Sequence, residues 1–493
     1  MTKKPRTFAG NSNDVYNATG EDTKDQMKTK GQYGKVTSNI IASLTEIVGE
    51  KNILVGEGKE NYSRDEAPRL KPISPDVVIM PADTESVSKI MKLASEHRIP
   101  VTPRGAGTGV CGGAVPIYGG IVLSLERMNK MLEIDRDNFL ASVEPGVIYN
   151  DLCQAVEEQG LYYPLFPGEA TASIGGNAAT NAGGMRAVKY GVTRNFILGL
   201  EVVLPGGEII HTGGKFVKCS TAYDLTQLIV GSEGTLAVIT KIILKLTPLP
   251  GKREVVFIPF HSLHDAIMSV PEILKEGILP VGLEFIEQNM IQMIEQYQGK
   301  EIPLHEHQAF LMILVEADSE DEAHQLCCRV GEICLKHGAI DVYLPGSKRA
   351  QRNLIESREK AWPAMNAFGT PEISDVVVPR SKIAEYVERV KAIAEEAEIP
   401  IIALGHAGDG NVHLNPLFPG NIPPEDKIKE FFQKIYKVGI SLGGTISGEH
   451  GIGLVKKEFL PLALERSQIE LMKRIKQAFD PKHIMNPGKV FDL

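Results

Sequence analysis

The hydrophobic and polar positions follow two periods along the chain, which divide it into short strands and amphipathic helices. The segment VVIMP at 77–81 is an apolar run of strand length, and Thr84–His97 repeats apolar residues at helical spacing. The predicted buried face of this helix consists of Val87, Ile90, Met91 and Ala94. Asp83 or Thr84 is the expected N-cap. Strand and helix patterns alternate until about residue 248, where the Pro-rich LKLTPLPGKR predicts a boundary.

Beyond this boundary the strands and helices alternate less regularly. EVVFIPF predicts a strand, a helix follows over Leu263–Leu274, and FLMILVEA is a strand that precedes a long helix. Further strands are predicted at Val376–Pro379 and Pro400–Leu404. This order favours an α+β arrangement with a mixed or mostly antiparallel sheet. We therefore expect two domains, at 36–248 and 249–493, after a polar N-terminal arm at 1–35.

The arm and the overall charge limit the classes of partner. Residues 1–35 have no apolar period, so we interpret them as a flexible arm or a partner-docking segment. A formal net charge of -9 over 493 residues argues against nucleic acid as the main partner. No uncharged apolar run reaches the roughly 18 residues of a membrane span. No apolar stretch follows the basic start, so a secretory signal is not expected, and we expect a cytoplasmic protein.

The six cysteines show no spacing typical of a disulfide framework, a zinc ribbon or an iron–sulfur cluster. Three lie alone, and three lie in the apolar helical pattern QLCCRVGEICL. We expect small buried thiols, since free cysteine is among the most buried residue types. The chain is therefore predicted to carry no internal iron–sulfur relay.

Glycine clusters in three loops, TPRGAGTGVCGG at 102–113, PGEATASIGGNAATNAGG at 167–184 and GSEGT at 231–235. Glycine lets backbone N–H groups approach phosphate oxygens closely. The segment Gly107–Gly112 formally matches GxGxxG, but a strand pattern follows it instead of the helix of a nicotinamide-binding Rossmann unit. Three such loops nevertheless predict a large polar ligand, and a dinucleotide fits.

Two histidines flank a hairpin signal in IPIIALGHAGDGNVHLNPL. The dipeptide Asp409-Gly410 favours a two-residue turn, which would place His406 directly opposite His413. Side chains opposed in this way have Cβ atoms about 4.5–5.5 Å apart, a separation that suits one shared metal ion. Asn415 is expected on the same face, two residues beyond His413.

The Gly-rich SGEHG at 447–451 supplies a third candidate ligand, Glu449. Two histidines and one glutamate that leave a position open form a known catalytic zinc set. The adjacent His450 is then free for proton transfer. The ligand types do not choose among Zn, Mn and Fe.

The segments VVIMPADTESVSKIM, PRGAGTG, PGEATASIGGNAATNAGG and GSEGTLAVIT resemble the flavin domain of the vanillyl-alcohol oxidase and p-cresol methylhydroxylase superfamily. Within it, the chain is similar to the D-lactate, glycolate and D-2-hydroxyglutarate dehydrogenases, from about residue 40 onward. The resemblance implies an α+β fold with a two-subdomain FAD-binding domain and an α+β substrate domain. Its last stretch, about 45 residues, would return to the flavin.

The resemblance also implies the residues that hold FAD. Those expected at the pyrophosphate are Arg104, Gly105, Gly107, Thr108 and Gly109. Those expected to line the rest of FAD are Pro167, Gly168, Ser173, Gly175, Gly176, Asn177, Gly183, Glu233, Gly234, Ile239 and Asn486. Some relatives attach the flavin covalently through a histidine where this chain has Thr108, so we expect non-covalent FAD.

The implied reaction is the oxidation of a small D-2-hydroxy acid, with D-lactate to pyruvate preferred. The resemblance assigns His406, His413 and Glu449 to one divalent metal, which would lower the pKa of the substrate hydroxyl. His450 would take the proton, and the hydride would pass to flavin N5. Arg358 would bind the substrate carboxylate, with Asn415 among the catalytic residues. Trp362, four residues beyond Arg358 on the same helical face, indicates a small substrate.

Several alternatives remain open at this point. The chain could be the FAD subunit of a glycolate oxidase or dehydrogenase, or a D-2-hydroxyglutarate dehydrogenase. An oxidase that reduces oxygen directly and a non-catalytic flavin scaffold are further alternatives. A dehydrogenase needs an external acceptor, namely an electron-transfer flavoprotein, an iron–sulfur subunit or a quinone, and we favour the electron-transfer flavoprotein. The arm at 1–35 is a candidate docking segment for it.

Overall fold

A computed structural model of the protein describes residues 33–493. The predicted arm at 1–35 lies outside the described residues except for its last three. The helices are α1 Ser38–Val48, α2 Thr84–Glu96, α3 Tyr149–Glu157, α4 Ile174–Thr180, α5 Ala187–Tyr190, α6 Leu225–Ile229, α7 Leu263–Lys275, α8 Gln288–Gln298, α9 Glu320–Lys336, α10 Lys348–Glu359, α11 Ala361–Phe368, α12 Ile383–Glu396, α13 Glu425–Ser441, α14 Leu460–Ala463 and α15 Arg466–Phe479.

The strands form four sheets. They are β1 Ile53–Leu54, β2 Val77–Ile79, β3 Val101–Arg104, β4 Ile121–Ser124, β5 Met131–Asp135, β6 Leu140–Val143, β7 Leu161–Tyr162, β8 Ile197–Val203, β9 Ile209–Gly213, β10 Val238–Lys245, β11 Thr247–Pro248, β12 Lys252–Phe260, β13 Gly282–Glu287, β14 Ala309–Ala317, β15 Thr370–Pro371, β16 Val376–Val377, β17 Ile401–His406 and β18 Asn411–Phe418. Strands β7 and β11 form a two-stranded antiparallel pair of their own.

The first sheet has the order β1-β2-β4-β3, with parallel pairing of β4 to β2 and to β3. Helix α2 connects two of its strands and buries the four apolar side chains that its periodicity predicts. Its N-cap is Asp83, whose Oδ1 accepts the backbone N–H of Ser86 at 2.7 Å. This cap satisfies one of the unpaired donors of the first turn. The predicted strand is confirmed over Val77–Ile79, and the predicted helix is confirmed over Thr84–Glu96.

The second sheet is antiparallel, in the order β5-β6-β10-β8-β9. Its core is formed with α3 and α4 and is separate from the core of the first sheet. Three Gly-rich segments line one cavity together with residues of the third sheet. They are the loop after β3, the segment that contains α4, and the loop before β10. The fold therefore brings together three loops that are far apart in the sequence.

The third sheet is antiparallel, in the order β12-β14-β13-β17-β18-β15, with β16 also paired to β18. Strand β14 is buried on both faces, which explains its uninterrupted apolar sequence FLMIL. Leu311 and Ile313 belong to a core with α7, α9, α12 and α13, whereas Phe310 and Met312 pack toward α8, α10 and α11. The predicted α+β fold class is confirmed.

The C-terminal segment returns to the first sheet after α15. Met485 forms a parallel bridge with Val101, and Ile484 and Met485 are completely buried in the first core. The last residues are thus placed behind the loop that follows β3. Across residues 33–493, no helix combines the length and apolarity needed to cross a bilayer.

The prediction that the cysteines are buried thiols is correct for only some of the six. Cys111, Cys327 and Cys334 are buried and Cys153 is partly buried, but Cys219 and Cys328 are exposed. Cys328 directly follows Cys327 on α9, so the two side chains point about 100° apart around the helix. Only one of them can face the core.

Candidate active site

One cavity of about 730 Å³ lies where the three sheets meet. This volume is within the range of about 300–1,000 Å³ that is typical of ligand and cofactor sites. The predicted FAD residues that line it are Arg104, Gly105, Gly107, Thr108, Gly109, Pro167, Gly168, Ser173, Gly175, Gly176, Asn177, Glu233, Gly234 and Ile239. The predicted residues for chemistry that line it are Arg358, His406, His413, Asn415, Glu449 and His450.

The Gly-rich loops form a cradle with a free hydrogen-bond donor. Ser173 Oγ accepts the N–H groups of Ala106 at 3.3 Å and Gly176 at 3.2 Å, so it joins two of the loops. A Cβ atom on Gly105 would lie 2.1 Å from that Oγ, which explains the glycine. Asn177 Nδ2 is buried and has no partner among the described residues. A polar cofactor such as FAD fits these features, since a buried amide donor needs an acceptor.

Arg104 lines the cavity, but its guanidinium is partly engaged by the protein. Two of its nitrogens donate to the carbonyl oxygens of Arg64 at 2.6 Å and Asn61 at 3.2 Å. The guanidinium carbon lies 5.6 Å from the centroid of the Tyr62 ring. Arg104 therefore anchors the segment at 61–64 beside the cavity, in addition to any contact with a ligand.

Two predicted FAD residues, Gly183 and Asn486, are not among those that line the cavity. A Cβ atom on Gly183 would lie 2.9 Å from Cβ of Glu449, so this glycine permits the close approach of Glu449. Asn486 Nδ2 donates to the carbonyl oxygens of Gly113 at 2.9 Å and Glu233 at 2.7 Å. Gly183 thus makes room for Glu449, and Asn486 links two of the loops that surround the cavity.

The Glu233 carboxylate also forms hydrogen bonds within the protein. It accepts the N–H groups of Ile452 and Gly453, each at 2.8 Å. These bonds tie the GSEGT loop to the segment that directly follows Glu449 and His450. Hydrogen bonds therefore connect a predicted flavin loop directly to the segment that carries two of the predicted site residues.

The predicted register of the histidine hairpin is wrong. The loop has four residues, 407–410, so His406 is paired with Asn411, and His413 is paired with Leu404. The His406 carbonyl accepts the N–H groups of Asp409 at 3.3 Å and Gly410 at 3.1 Å, which closes a longer turn. Gly410 has a φ of +93° and packs against the Val378 carbonyl. Packing against the segment after β16 thus overrides the two-residue turn.

The conclusion about the shared face nevertheless holds, because the two histidines are diagonal neighbours on one face of the hairpin. Their ring centroids are 5.3 Å apart and the rings are perpendicular. Nε2 of His406 and Nε2 of His413 lie 3.4 and 3.3 Å from Oε1 of Glu449. The three predicted ligands therefore converge on one point.

The opposite nitrogen of each ring faces an acceptor. Nδ1 of His406 lies 2.6 Å from Oε1 of Glu284, and Nδ1 of His413 lies 3.1 Å from the carbonyl oxygen of Ser374. A ring that donates its Nδ1–H presents a lone pair at Nε2, which is the arrangement of metal-bound histidines. The donor set therefore fits a divalent cation.

The electrostatics also favour a cation. Burial disfavours the charged form of His406, but the carboxylates of Glu284 and Glu449 outweigh it and raise the pKa of His406 well above its usual range. Burial would raise the pKa of Glu449, but His406 and His413 outweigh it and lower that pKa. The carboxylates thus provide negative charge that a metal ion would neutralise.

Asp375, which the sequence analysis did not single out, anchors the loop that carries Glu449 and His450. It is completely buried, and its Oδ2 accepts the backbone N–H groups of Glu449 at 3.2 Å and His450 at 2.9 Å. The same oxygen accepts the Lys456 ammonium at 3.0 Å. Ligand atoms of Asp375, His413, Glu449 and His450 lie within 4.8 Å of one another. Because Oδ2 is already saturated, we assign Asp375 a structural role.

His450 is positioned between the predicted metal ligand Glu449 and the buried Asp375 carboxylate. Its Nε2 lies 3.7 Å from Oε1 of Glu449, and its buried Nδ1 faces Oδ2 of Asp375 at 3.7 Å, beyond hydrogen-bonding distance. Burial lowers the pKa of His450 to about 4, although Asp375 opposes this shift. The ring is therefore neutral at physiological pH and can accept a proton.

Arg358 and Trp362 do not lie on one continuous helix as predicted. Helix α10 ends at Glu359 and α11 begins at Ala361, yet both side chains line the cavity. Arg358 Nη2 lies 2.9 Å from Oε2 of Glu284, and its Nε is buried without a partner among the described residues. Asn415 Oδ1 accepts the Ser374 N–H at 3.0 Å.

The second carboxylate that the sequence analysis missed is Glu284. It lies within the fully buried strand β13, GLEFIE, and is 0% exposed. A glutamate between Leu283 and Phe285 in a buried strand is the signal that could have identified it, since Glu is almost never fully buried unless paired. Asp375 gave no comparable signal, because it precedes its strand.

Comparisons with known proteins identify the family. Residues 75–213 match the family described as FAD binding domain, and residues 249–490 match FAD linked oxidases, C-terminal domain. The chain is 40% identical over 470 residues to D-lactate dehydrogenase of Anaerostipes hadrus, which covers 93% of this chain and 98% of that one. It is 40% identical over 463 residues to glycolate oxidase subunit GlcD of Bacillus subtilis, which covers 92% and 97%.

Among solved structures, p-cresol methylhydroxylase with substrate bound is similar over 95% of this chain and 98% of that chain, with a TM-score of 0.76 and 17% identity. This similarity shows the fold. The sequence matches confirm the resemblance that the glycine-rich motifs predict. The protein therefore belongs to the FAD-linked oxidoreductases of the D-lactate dehydrogenase and glycolate oxidase GlcD type.

Proposed function

We propose that the protein oxidises a small D-2-hydroxy acid, with D-lactate as the preferred substrate and glycolate as the second candidate. The observation that carries the proposal is the convergence of His406, His413 and Glu449 in the flavin cavity, beside the His450 ring, whose Nε2 lies 3.7 Å from Oε1 of Glu449. Relatives named D-lactate dehydrogenase and glycolate oxidase subunit support the same class of substrate.

The glycine-rich loops would hold FAD without a covalent bond. Ser173 and the adjacent glycines form the cradle, and Asn177 Nδ2 supplies a donor for a polar group of the cofactor. Thr108 lines the cavity where covalent relatives are expected to carry a histidine, and a threonine hydroxyl does not form that linkage.

His406, His413 and Glu449 would hold one divalent cation, either Zn, Mn or Fe. Bound FAD supplies the hydride acceptor, and the cation supplies a Lewis acid next to the substrate hydroxyl. The chain itself fixes the ligands, because Glu284 and Ser374 orient the two rings and Asp375 anchors the Glu449 loop.

His450 would act as the general base that removes the proton of the 2-hydroxyl. The neutral imidazole can accept it at Nε2, the nitrogen that faces Glu449, and such a base typically contributes about 10²–10⁴-fold in rate. Asp375 holds the backbone of His450 in place.

Arg358 would bind the substrate carboxylate through its unpartnered Nε. Of the described residues that line the cavity, the other basic side chain with a permanent charge is Arg104, which is engaged with the segment at 61–64. A dicarboxylate would need a second cation near Arg358, so the lining favours a monocarboxylate. Trp362 occupies space beside it and favours a small acid.

Electrons would pass to a protein acceptor, with an electron-transfer flavoprotein preferred over an iron–sulfur subunit. The need for an external acceptor rests on the cysteines, which offer no spacing for an internal cluster. Equal turnover by the chain with and without residues 1–35, measured with its physiological acceptor, would exclude a docking role for the arm.

The test is an anaerobic flavin-reduction screen over both enantiomers of lactate, glycolate, malate and 2-hydroxyglutarate. We expect D-lactate to bleach the flavin fastest, with glycolate next and 2-hydroxyglutarate slowest. Absence of reduction by any of these acids would reject the proposal. A stoichiometric yield of hydrogen peroxide in air would instead favour a direct oxidase.

A further inference from the structure

Glu284 connects the two parts of the candidate site that would hold the metal and the substrate carboxylate. It lies directly opposite His406 in the pairing of β13 with β17. Its Oε1 is 2.6 Å from Nδ1 of His406, and its Oε2 is 2.9 Å from Nη2 of Arg358. One carboxylate therefore contacts both a candidate metal ligand and the candidate substrate-binding arginine.

Because the Glu284 carboxylate is buried, its two contacts are what stabilises its charge. Glu284 is 0% exposed, so water cannot solvate its charge. A buried charge is tolerated when it is paired, and removal of one partner typically costs about 3–5 kcal/mol. Glu284 therefore depends on His406 and Arg358 together, and a change at one alters the charge that the carboxylate offers to the other.

Arg358 has hydrogen-bonding capacity left for a ligand. It approaches Glu284 with one terminal nitrogen, while its Nε remains buried and unpartnered. Its side chain is 13% exposed, and it lines the cavity. A substrate carboxylate that binds this guanidinium would compete with Glu284 for its charge.

We propose that Glu284 is a positioning residue that couples the two sites, so that the charge on Arg358 sets how tightly His406 and its partners hold the metal. The inference rests on the proposed metal site. When Arg358 is shared with a substrate carboxylate, Glu284 is a stronger acceptor for the Nδ1–H of His406. The imidazole then donates its Nε2 electron pair to the metal more strongly, because a hydrogen-bond acceptor at Nδ1 of a metal-bound histidine raises the basicity of the ring.

The test is a double-variant cycle of zinc affinity, measured by equilibrium dialysis on the FAD-loaded protein without substrate. Glu284→Gln should weaken zinc binding about tenfold, the lower limit for loss of such an acceptor. Arg358→Gln should tighten it by about fivefold, because Glu284 loses its competing cation. In the Glu284→Gln background, Arg358→Gln should change the affinity by about twofold at most, which leaves only the direct effect of the guanidinium charge.

Controls separate this coupling from simple damage. Arg358→Lys retains the charge and should keep zinc affinity near that of the wild type. Glu287→Gln alters another buried glutamate of β13, which pairs with Lys391 outside the site, and should also leave it unchanged. Flavin content and thermal unfolding report whether each variant is folded. If Arg358→Gln is not, Arg358→Met takes its place in the cycle, because it keeps the apolar packing.

If the Arg358 substitution has the same effect on zinc affinity in both backgrounds, or no effect in either, the coupling is overturned. The metal site is still supported in that case if the wild type binds zinc. A wild-type protein that binds no zinc would overturn both. Loss of D-lactate oxidation does not enter the measurement, so the substrate proposal can fail without affecting this result.

Discussion

The Oδ2 atom of Asp375 lies 2.9 Å from the backbone nitrogen of His450 and also accepts the N–H of Glu449, so one buried carboxylate fixes the candidate base and a candidate metal ligand together. Lys456 neutralises this carboxylate at 3.0 Å. The loop that performs the proposed chemistry therefore depends on a residue that touches neither substrate nor metal.

Asp375→Asn should destabilise the fold and impair the site at the same time. The substitution leaves the buried Lys456 ammonium unpaired, which typically costs about 3–5 kcal/mol. Urea unfolding should show this loss, and elemental analysis should show less bound metal. Asp426→Asn, an exposed change in the first turn of α13, is the control and should match the wild type. Unchanged metal content in the Asp375 variant would contradict the anchoring role.

His450→Ala should reduce the rate of flavin reduction by D-lactate about 10²–10⁴-fold, because it removes the proposed base. FAD should remain bound, since the ring stacks on His413 at 5.4 Å between centroids and His450 is not among the predicted FAD residues. Stopped-flow absorbance of the flavin measures the rate, and its spectrum reports the bound cofactor. A variant that retains the wild-type rate would disprove the base assignment.

His406→Ala should remove the metal, because it deletes a ligand and leaves Glu284 and Glu449 without the ring between them. Elemental analysis of the purified protein should give well under one equivalent, whereas the wild type should approach one. Asn415→Ala changes a residue on the same face that is not a proposed ligand, and it should keep the metal. Equal metal in wild type and His406→Ala would reject the site.

Gly109→Val should weaken FAD binding about tenfold or more without unfolding the protein. Its Cβ would have Asp65 Oδ2, at 3.9 Å, as the nearest described atom, so the new side chain would occupy the cavity rather than the core. Surface-like substitutions of this kind usually change stability by about 0.5 kcal/mol or less. Fluorescence titration with FAD measures the affinity, and Gly56→Val, at an exposed glycine with open space, is the matched control. Equal affinities in the two variants would contradict this prediction.

Lys489 predicts a pH dependence of stability. Burial lowers the pKa of its ammonium to about 7, although Asp65 opposes the shift. Between pH 7 and 10 the unfolded chain binds more protons at this residue than the fold, so the contribution of Lys489 to stability rises with pH. The slope is about 1.4 kcal/mol per pH unit for one full proton.

Urea unfolding of the wild type and Lys489→Met at pH 7, 8 and 9 checks this prediction. The stability of the wild type relative to the variant should increase steadily over this range. The variant also leaves the Val115 carbonyl without its 2.7 Å donor, a cost that does not depend on pH. Parallel pH profiles would show that Lys489 is charged in the folded protein.

The amino-acid sequence by itself determined the elements whose causes are local. Helix α2 is an example, since its apolar period and its Asp83 cap lie within one segment of chain. The three glycine-rich loops and the candidate ligands His406, His413 and Glu449 were also predicted from the sequence, because glycine, histidine and glutamate restrict the chemistry wherever they fall.

The tertiary structure alone decided how these parts meet. The hairpin turn at 407–410 gained two residues because Gly410 packs against Val378, which a turn propensity cannot include. Glu284 reaches His406 from 122 residues away through strand pairing. Asp375 reaches the His450 loop in the same non-local way. Such contacts depend on the register of a sheet and on the need to pair buried charges, and both are settled only when distant segments pack together.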